Sequence, residues 1–276
     1  MTWHNIGGNG VKRVKFLLIF LFLVGMFMAC SQDEVGYISF DEFMVFSHRG
    51  VASAPDHSFE GYDLAIYQGS SFIEIDLRMS IDGYLVASHD NEIAENYLIS
   101  EMALAEIREV EVENGHYFLT IQDIFRRYGL DVNYVIENKF TDDDFTLEHE
   151  LLNLIAKYGV ENNVILQSFH LNSIRFFYDE GVSMPLLLLV SERTNIEALT
   201  DFEDYYFVDA FAFTSVVLNV ETIAPLHEAG VKVFAYFSRG NDTEDERRRV
   251  LELGLNGFFT GYTAEAFEEI AEILGE

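Results

Sequence analysis

Short apolar runs recur along the chain and alternate with segments of helical periodicity. Runs of about five residues that are rich in Val, Ile, Leu and Phe and are bounded by glycine or polar residues are typical of buried strands. We therefore expect a regular series of strands from residue 44 to the C-terminus. The predicted strands are Met44 to His48, Phe72 to Leu77, Asn133 to Lys139, Val164 to Phe169, Leu186 to Val190, Ala210 to Thr214, Lys232 to Phe237 and Gly257 to Thr260.

Most segments between these strands have apolar residues at helical spacing, and several end in a glycine, which suits a helix C-cap. Eight strand-plus-helix units in about 235 residues predict an α/β fold, a (β/α)8 TIM barrel, whose active site would lie at the C-terminal ends of the strands. We expect one barrel domain over residues 43–276. The predicted helices are SFEGYDLAIYQ, LTIQDIFRRYG, TLEHELLNLIAKYG, LNSIRFFYDEG, VETIAPLHEAG and EDERRRVLELG.

A β-hairpin excursion is predicted after the second barrel strand. The run FIEIDLRM is followed by Asp82-Gly83 and then by LVASHD, and Asp-Gly between apolar runs is the strongest short-range hairpin signal. If no bulge intervenes, a two-residue turn at Asp82-Gly83 places Asp76 opposite His89.

Several predicted strands carry charges where strands of a buried sheet are usually apolar. Glu74 and Asp76 are two residues apart, as are Glu137 and Lys139, so within each pair both side chains lie on one face of the strand. Three buried carboxylates cost several kcal/mol per ion unless opposite charge offsets them, and a hard divalent cation bound through oxygens would supply that charge. The pattern predicts a metal-dependent enzyme that favours Ca²⁺, Mg²⁺ or Mn²⁺ over Zn²⁺.

The overall composition narrows the choice of partner. The chain has 276 residues, of which 49% are hydrophobic, and this is ample for a buried core. Its 17 Lys and Arg against 47 Asp and Glu give a formal charge of −30, which argues against nucleic acid or an anionic membrane face as the main partner. An anionic small-molecule substrate would need local attraction, which Arg49, Lys139 and a bound metal could provide.

The N-terminus predicts export. Basic residues precede FLLIFLFLVGMFMA, an apolar run that is too short to span a membrane comfortably and matches the hydrophobic region of a signal peptide. The run ends at FMAC, which resembles a bacterial lipobox, although Phe27 replaces the usual aliphatic residue. We expect residues 1–29 to be a lipoprotein signal peptide, residues 30–42 to be a linker, and Cys30 to be lipidated. An ordinary signal peptide or an uncleaved anchor is the alternative.

The predicted lipoprotein would be anchored on the outer face of the cytoplasmic membrane or in the periplasm or outer membrane. Cys30 is the only cysteine of the chain, so no internal disulfide is possible.

The charged strands, taken in order, resemble the glycerophosphodiester phosphodiesterase family. Its pattern is HRG, a PENT-like turn, E-x-D, a T-x-D-G turn, HD and E-x-K, and this chain has SHRG, then GSSFIEIDLRMSIDGYLVASHD, then YVIENKF. The match is good over residues 45 to about 140 and continues weakly through QSF to the closing strands. The resemblance implies a TIM barrel, a divalent metal, often Ca²⁺ or Mg²⁺, and a phosphodiester as small-molecule substrate. The implied site residues are Glu74, Asp76 and Glu137 for the metal, His48 and His89 for acid–base catalysis, and Arg49 and Lys139 for the phosphate.

The chain departs from the family pattern at the rim of the predicted site. PENT reads Pro55-Asp56-His57-Ser58, a late W-T-V-N reads Phe234-Ala235-Tyr236-Phe237, and T-D reads Thr260-Gly261. We therefore expect the phosphodiesterase chemistry to be kept, with a substrate preference other than free glycerophosphocholine-like diesters.

Some residues near these motifs also have a purely structural interpretation. We expect His57 to be a hydrogen-bonded structural residue, Asp90 to support the His89 turn, and Arg247 to Arg249 to be solvated charges. Phe169, Phe234 and Tyr236 could line the substrate mouth or simply pack the barrel.

Three functions are compatible with this sequence. The first is a surface-anchored, metal-dependent hydrolase that cleaves glycerophosphodiesters or related headgroup diesters to an alcohol and a glycerol phosphate with two histidines as acid and base. The second is a phospholipase D-like or phosphatidylinositol phospholipase C-like lyase that acts on intact phospholipid, for which an apolar rim would be the indication. The third is a noncatalytic binding lipoprotein, which should have lost at least one of the two histidines or three carboxylates.

Overall fold

The described part of the chain contains eleven β-strands and eight α-helices. This computed structural model describes residues 38–111, 115–139, 143–191, 202–238 and 240–274. The strands are β1 (Met44–Ser47), β2 (Phe72–Met79), β3 (Leu85–Ala87), β4 (Glu92–Ala94), β5 (Tyr97–Leu98), β6 (Asn133–Asn138), β7 (Val164–Ser168), β8 (Leu186–Val190), β9 (Ala210–Thr214), β10 (Lys232–Tyr236) and β11 (Gly257–Thr260). The α-helices are α1 (Phe59–Tyr67), α2 (Leu104–Ile107), α3 (Ile121–Tyr128), α4 (Thr146–Tyr158), α5 (Leu171–Asp179), α6 (Val220–Glu228), α7 (Glu244–Glu252) and α8 (Thr263–Leu274).

Eight parallel strands close into a barrel. Their order is β1-β11-β10-β9-β8-β7-β6-β2, and pairing between β1 and β2 completes the ring. The helices α1 and α3 to α8 follow barrel strands, so the predicted (β/α)8 fold is confirmed. Each predicted barrel strand forms, with ends that differ from the prediction by at most two residues.

Several of the helices begin at a residue whose side chain caps the first turn. Thr120 accepts a hydrogen bond from Asp123 N–H at the start of α3, and the Asp123 carboxylate accepts the Thr120 N–H in return. Ser58 accepts from Gly61 N–H at the start of α1. Such reciprocal caps satisfy backbone donors that have no partner within the helix.

The apolar core has two layers, because alternate residues of each strand point into the barrel or out toward the helices. The interior layer is rich in aromatics: Phe46 stacks on Phe234 and lies edge-on to Phe259, with ring centroids 5.2 Å and 4.8 Å apart. The outer layer joins the strands to the helices and forms the larger cluster. Within the described residues, no helix is long and apolar enough to cross a membrane.

The hairpin after β2 forms, but its predicted register is wrong. Arg78 pairs with Val86, and Leu77 pairs with Ala87, so Asp76 lies opposite Ser88, whose N–H donates to the Asp76 carbonyl at 3.0 Å. The turn spans three residues with Gly83 in a left-handed conformation at φ 84°, which adds the bulge that the prediction had excluded. This one-residue shift moves His89 out of the position opposite Asp76.

The expectation of solvated charges at Arg247 to Arg249 is wrong for Arg247. This residue of α7 is buried and forms a two-pronged ion pair with Glu269 of α8, with Nε–Oε2 at 2.9 Å and Nη2–Oε1 at 2.6 Å. Its Nη1 lies 2.9 Å from Asp242, whose carboxylate also accepts from Thr260 Oγ and Gly261 N–H. The network therefore fastens α7 and α8 to the end of β11.

Candidate active site

The C-terminal ends of β1, β2, β6 and β7 place the predicted site residues together. In the parallel registers Asp76 of β2 lies beside Glu137 of β6, and Glu137 lies beside Gln167 of β7. Because neighbouring parallel strands end at the same edge, these inward side chains share one end of the barrel.

The three predicted metal ligands form one buried acidic cluster. Oxygen atoms of Glu74, Asp76 and Glu137 all lie within 4.8 Å of one another, and the three residues are between 1% and 5% exposed. Burial and the adjacent Asp76 carboxylate raise the pKa of Glu137 to about 8 and the pKa of Glu74 well above its usual range. Burial acts in the same direction on Asp76, but hydrogen bonding from His57 and the nearby Lys139 and Arg49 charges hold its pKa well below the ordinary value.

Two cations lie against this cluster. Arg49 Nε is 3.0 Å from Asp76 Oδ2, while Lys139 Nζ is 3.0 Å from Asp76 Oδ1 and 2.7 Å from Glu137 Oε1. Arg49 and Lys139 are mostly buried, so their charges are poorly screened by solvent. The site thus combines three carboxylates with two fixed positive charges.

The turn that follows β1 brings Arg49 into this position. Arg49 has a left-handed φ of 59°, and its N–H donates to Glu74 Oε2 at 3.1 Å. Gly50 follows at φ 101°, where a Cβ atom would lie 2.9 Å from the Gly61 carbonyl carbon. The glycine of the SHRG motif therefore allows the turn to pass close to α1.

His48 lies at the end of β1, partly buried beside the charged cluster. Its N–H donates to the Thr260 carbonyl at 3.0 Å, which ties it to β11. Burial and the neighbouring Arg49 charge lower the pKa of His48 to about 3. The imidazole is therefore neutral at neutral pH and can accept a proton.

His89 lies on the loop after β3 and is more exposed than His48. Its Nδ1 is 2.8 Å from Asp90 Oδ1, so Asp90 contacts His89 as the sequence suggested. Arg78 donates two hydrogen bonds to the His89 carbonyl, at 3.1 Å and 2.8 Å. Burial and the charges of Lys139 and Arg49 lower the pKa of His89.

The sequence did not assign a site role to three side chains that contact the acidic cluster or His89. Gln167 Nε2 donates to Glu74 Oε1 at 3.0 Å, His57 Nε2 is 3.2 Å from Asp76 Oδ2, and Arg78 clamps the loop that carries His89. Gln167 could have been found from strand alternation, since it is inward-facing at the end of β7. His57 lies in a turn, where periodicity gives no orientation.

The three aromatic residues that could line the substrate mouth or pack the barrel lie in different surroundings. Phe169 lies edge-on to Tyr236, with ring centroids 5.7 Å apart, and Lys139 Nζ is 6.0 Å from the Phe169 ring centroid. Phe169 is 39% exposed, so this pair borders the charged site. Phe234 is fully buried in the interior layer and packs the barrel.

The donor set fits a hard divalent cation. All three clustered side chains offer carboxylate oxygens, which Ca²⁺, Mg²⁺ and Mn²⁺ prefer. Two of the carboxyls have pKa values raised by burial and mutual repulsion, and a bound cation would favour their ionised forms.

A match to a protein family identifies the class of enzyme to which this closed barrel and its acidic cluster belong, that of the phosphoric diester hydrolases. Residues 48–265 match the glycerophosphoryl diester phosphodiesterase family. The match covers most of the chain, so this chain belongs to that family, and the resemblance seen in the sequence is confirmed.

Similar proteins are matched over nearly their full length, and the solved structures among them share the fold of this chain. The chain is 24% identical over 287 residues to a glycerophosphodiester phosphodiesterase of Bacillus subtilis, covering 91% of this chain and 96% of the relative. A glycerophosphodiester phosphodiesterase structure from Parabacteroides distasonis superposes with a TM-score of 0.73 at 16% identity, over 86% of this chain and 99% of that one. An Oleispira antarctica phosphodiesterase in complex with its product sn-glycerol-3-phosphate gives a TM-score of 0.68 at 20% identity, covering 82% and 96%.

Proposed function

We propose that this protein is a metal-dependent hydrolase that cleaves glycerophosphodiesters, or related headgroup diesters, to an alcohol and a glycerol phosphate. The observation that carries the proposal is the buried Glu74, Asp76 and Glu137 cluster flanked by Arg49 and Lys139. The product complex of the Oleispira relative supports glycerol phosphate as the product class.

The residues of the chain divide the work between charge and proton transfer. A divalent cation bound by the three carboxylates would stabilise charge that develops on the phosphoryl oxygens. Arg49 and Lys139, which lie against Asp76, would bind the same phosphate through their positive charges. Their burial makes each of these charges more effective than it would be in water.

The two histidines suit opposite roles. His48 is neutral because its pKa is low, so it can accept the proton of the nucleophile. His89 faces solvent more openly and has Asp90 at Nδ1, which orients Nε2 for donation to the leaving alkoxide. A bound anionic diester would offset the Lys139 and Arg49 charges that lower the His89 pKa, and this favours the protonated form.

The decisive experiment is an activity screen of the purified full-length protein with phosphorus NMR of the products. We expect glycerophosphodiesters to give glycerol phosphate in the presence of Ca²⁺, Mg²⁺ or Mn²⁺, and chelation to abolish turnover. Full activity in metal-free protein would refute the metal-dependent mechanism.

A second candidate is a phospholipase D-like or phosphatidylinositol phospholipase C-like lyase that acts on intact phospholipid. One observation favours it: exposed apolar side chains follow the C-terminal ends of β7, β9 and β11. These are Phe169, Leu171, Val216 and Tyr262. The same NMR screen separates the two, because a lyase releases a cyclic phosphate and requires acylated substrate, whereas the hydrolase gives an open glycerol phosphate from the deacylated diester.

We also propose that Cys30 is lipidated and anchors an exported protein to a membrane. Residues 1–37 lie outside the described part of the chain, so the support comes from the sequence, namely the basic residues, the apolar run that follows them and the FMAC motif. The wild type should partition into detergent with a mass that corresponds to a cleaved, acylated protein. Cys30→Ser should keep the precursor mass, and equal masses and partitioning for the two would reject lipidation.

A further inference from the structure

His57 connects α1 to the acidic cluster. It lies in the turn before α1 at a left-handed φ of 55° and is only 4% exposed. Its Nδ1 lies 2.8 Å from Tyr62 Oη on α1, and its Nε2 lies 3.2 Å from Asp76 Oδ2 on β2. Its backbone N–H also donates to the Arg49 carbonyl at 2.9 Å. Each polar atom of the ring therefore faces a specific buried partner.

The hydrogen-bond distances favour one direction of donation through this chain. The Tyr62 hydroxyl has two nearby acceptors, His57 Nδ1 at 2.8 Å and the Glu74 carbonyl at 3.4 Å, and the shorter contact is the better hydrogen bond. A carboxylate can only accept, so the contact with Asp76 places the proton of the neutral ring on Nε2 and leaves Nδ1 to accept from Tyr62. This arrangement satisfies all three groups without placing another charge in the barrel.

The contacts of Asp76 show what this donation does. Oδ2 faces His57 Nε2 and Arg49 Nε, while Oδ1 lies 3.0 Å from Lys139 Nζ, which also contacts Glu137. His57 therefore restrains one carboxylate oxygen and leaves the other on the side of Glu137. Because Nε2 bears the proton, the ring is a donor to the carboxylate and is not itself a ligand.

We propose that His57 is a positioning residue of the metal centre, which holds Asp76 in its ligating orientation and is itself held by Tyr62. The proposal rests on the metal-dependent function above. Groups that hydrogen-bond to metal ligands in this way typically change metal affinity by about 10- to 100-fold when they are removed.

Two substitutions at this position separate the hydrogen bond to Asp76 from simple filling of space. The amide nitrogen of His57→Gln can occupy roughly the place of Nε2 and keep donation to Asp76. The shorter His57→Asn reaches the place of Nδ1 only, so it keeps a contact with Tyr62 and loses Asp76, although asparagine tolerates the left-handed backbone better. A third variant, Tyr62→Phe, removes the hydroxyl that orients the ring.

The test is calorimetric titration of the full-length protein and its variants with Mg²⁺, Ca²⁺ and Mn²⁺, together with thermal unfolding of the metal-free proteins. We expect His57→Asn to weaken binding by about 10- to 100-fold, His57→Gln to remain within about threefold of wild type, and Tyr62→Phe to fall between them. Unfolding temperatures should not follow this order.

Three results would overturn the proposal in distinguishable ways. Equal affinity in wild type and His57→Asn would show that the contact with Asp76 does not matter. Equal losses in His57→Asn and His57→Gln, in step with lower unfolding temperatures, would make His57 a packing residue. If the wild type gives no binding heat and no thermal shift with any of the cations, the proposed metal centre is rejected together with the role of His57.

Discussion

The two halves of the barrel carry different residues at their inward positions: β1, β2, β6 and β7 form the charged half, and β8 to β11 form the aromatic half. Strands β1, β2, β6 and β7 present His48, Glu74, Asp76, Glu137 and Gln167 at or near their C-terminal ends. Strands β8 to β11 present Leu189, Ala212, Tyr236 and Phe259 on the interior face. Both halves obey the same strand alternation, so the difference comes from residue type and not from geometry.

The difference shows that unfavourable charge burial and favourable apolar packing lie mainly in different halves of the barrel. Burial and the Asp76 charge raise the pKa values of Glu74 and Glu137, while Phe234 and Phe259 of the other half contribute apolar burial and ring packing against Phe46 of β1. The charges on the aromatic side are the buried Arg247 and Glu269 and the partly buried Asp242, which lie among α7, α8 and the end of β11 and are paired with one another. We therefore expect the charges of the charged half to be needed for catalysis and the charges of the aromatic half to be needed for stability.

The largest expected effect is on activity in the charged half. Glu137→Gln removes a cluster carboxylate while preserving size, so we expect turnover to fall by about 10³-fold, since metal-assisted charge stabilisation is worth several kcal/mol. Steady-state kinetics with saturating metal measures this.

A matched control comes from the other half. Thr214 lies on the same face of β9 as Ala212, and among the described residues its buried hydroxyl has no hydrogen-bond partner, so Thr214→Val should leave turnover unchanged. A large loss for Thr214→Val, or full activity for Glu137→Gln, would remove the functional contrast between the halves.

The next effect concerns stability in the aromatic half. Arg247→Met leaves Glu269 buried without its partner, which should lower the free energy of unfolding by about 3 kcal/mol. Metal affinity should not change. Denaturant unfolding and calorimetry measure the two quantities on the same samples.

Arg248→Met is the control for this substitution. Arg248 lies one position along α7 and pairs with Glu244 and Glu272 in a more exposed place, where ion pairs contribute little. Its unfolding midpoint should match the wild type. If Arg247→Met instead weakened metal binding without loss of stability, the aromatic half would contribute to metal binding and the contrast between the halves would fail.

The sequence predicted the charged half better than the connections around it. Strand alternation oriented Glu74, Asp76 and Glu137 because a two-residue period determines the face on which each side chain lies. No comparable rule orients a turn residue, and so His57 was interpreted as structural. The hairpin register failed for a related reason: a bulge of one residue depends on the local conformation at Gly83, which residue type alone does not decide.

Long-range pairing was equally hidden from the sequence. Arg247 and Glu269 are 22 positions apart on two helices, and periodicity reports only that α7 is strongly polar. The positions and lengths of the barrel strands were predictable because each is a short, mostly apolar run bounded by glycine or polar residues. Tertiary partners outside those runs were not, since they depend on how neighbouring helices pack.

A third prediction separates the catalytic roles of His48 and His89 within the charged half. His89→Ala should cripple hydrolysis of an alkyl diester, whose alkoxide needs a proton to leave, and largely spare an aryl diester with a good leaving group. The two losses should differ by about 10²-fold or more. His48→Ala should impair both substrates, because it removes the proposed base. Equal losses on both substrates for His89→Ala would exclude His89 as the general acid.

The smallest effect is the pH dependence of metal binding. In the metal-free protein the pKa of Glu137 is about 8 and the pKa of Glu74 is also raised, so protons compete with the cation, and affinity should rise between pH 6 and pH 8 by about tenfold per unit of pH for each proton displaced. The stability of the metal-free protein should change in the opposite direction. A folded-state pKa above the usual 4.5 favours folding most at low pH, and this contribution is lost as pH rises through 8.

Calorimetry in buffers of different ionisation enthalpy tests this directly, since binding should release protons at pH 7. The Thr214→Val protein should show the same pH dependence, because its substitution lies outside the carboxylate cluster, whereas Glu137→Gln should lose most of it. A flat affinity between pH 6 and pH 8, with no proton release, would mean that Glu137 is already ionised before the cation binds. The hydrogen bond from His57 and the charges of Arg49 and Lys139 would then be sufficient to ionise the whole cluster without a bound cation.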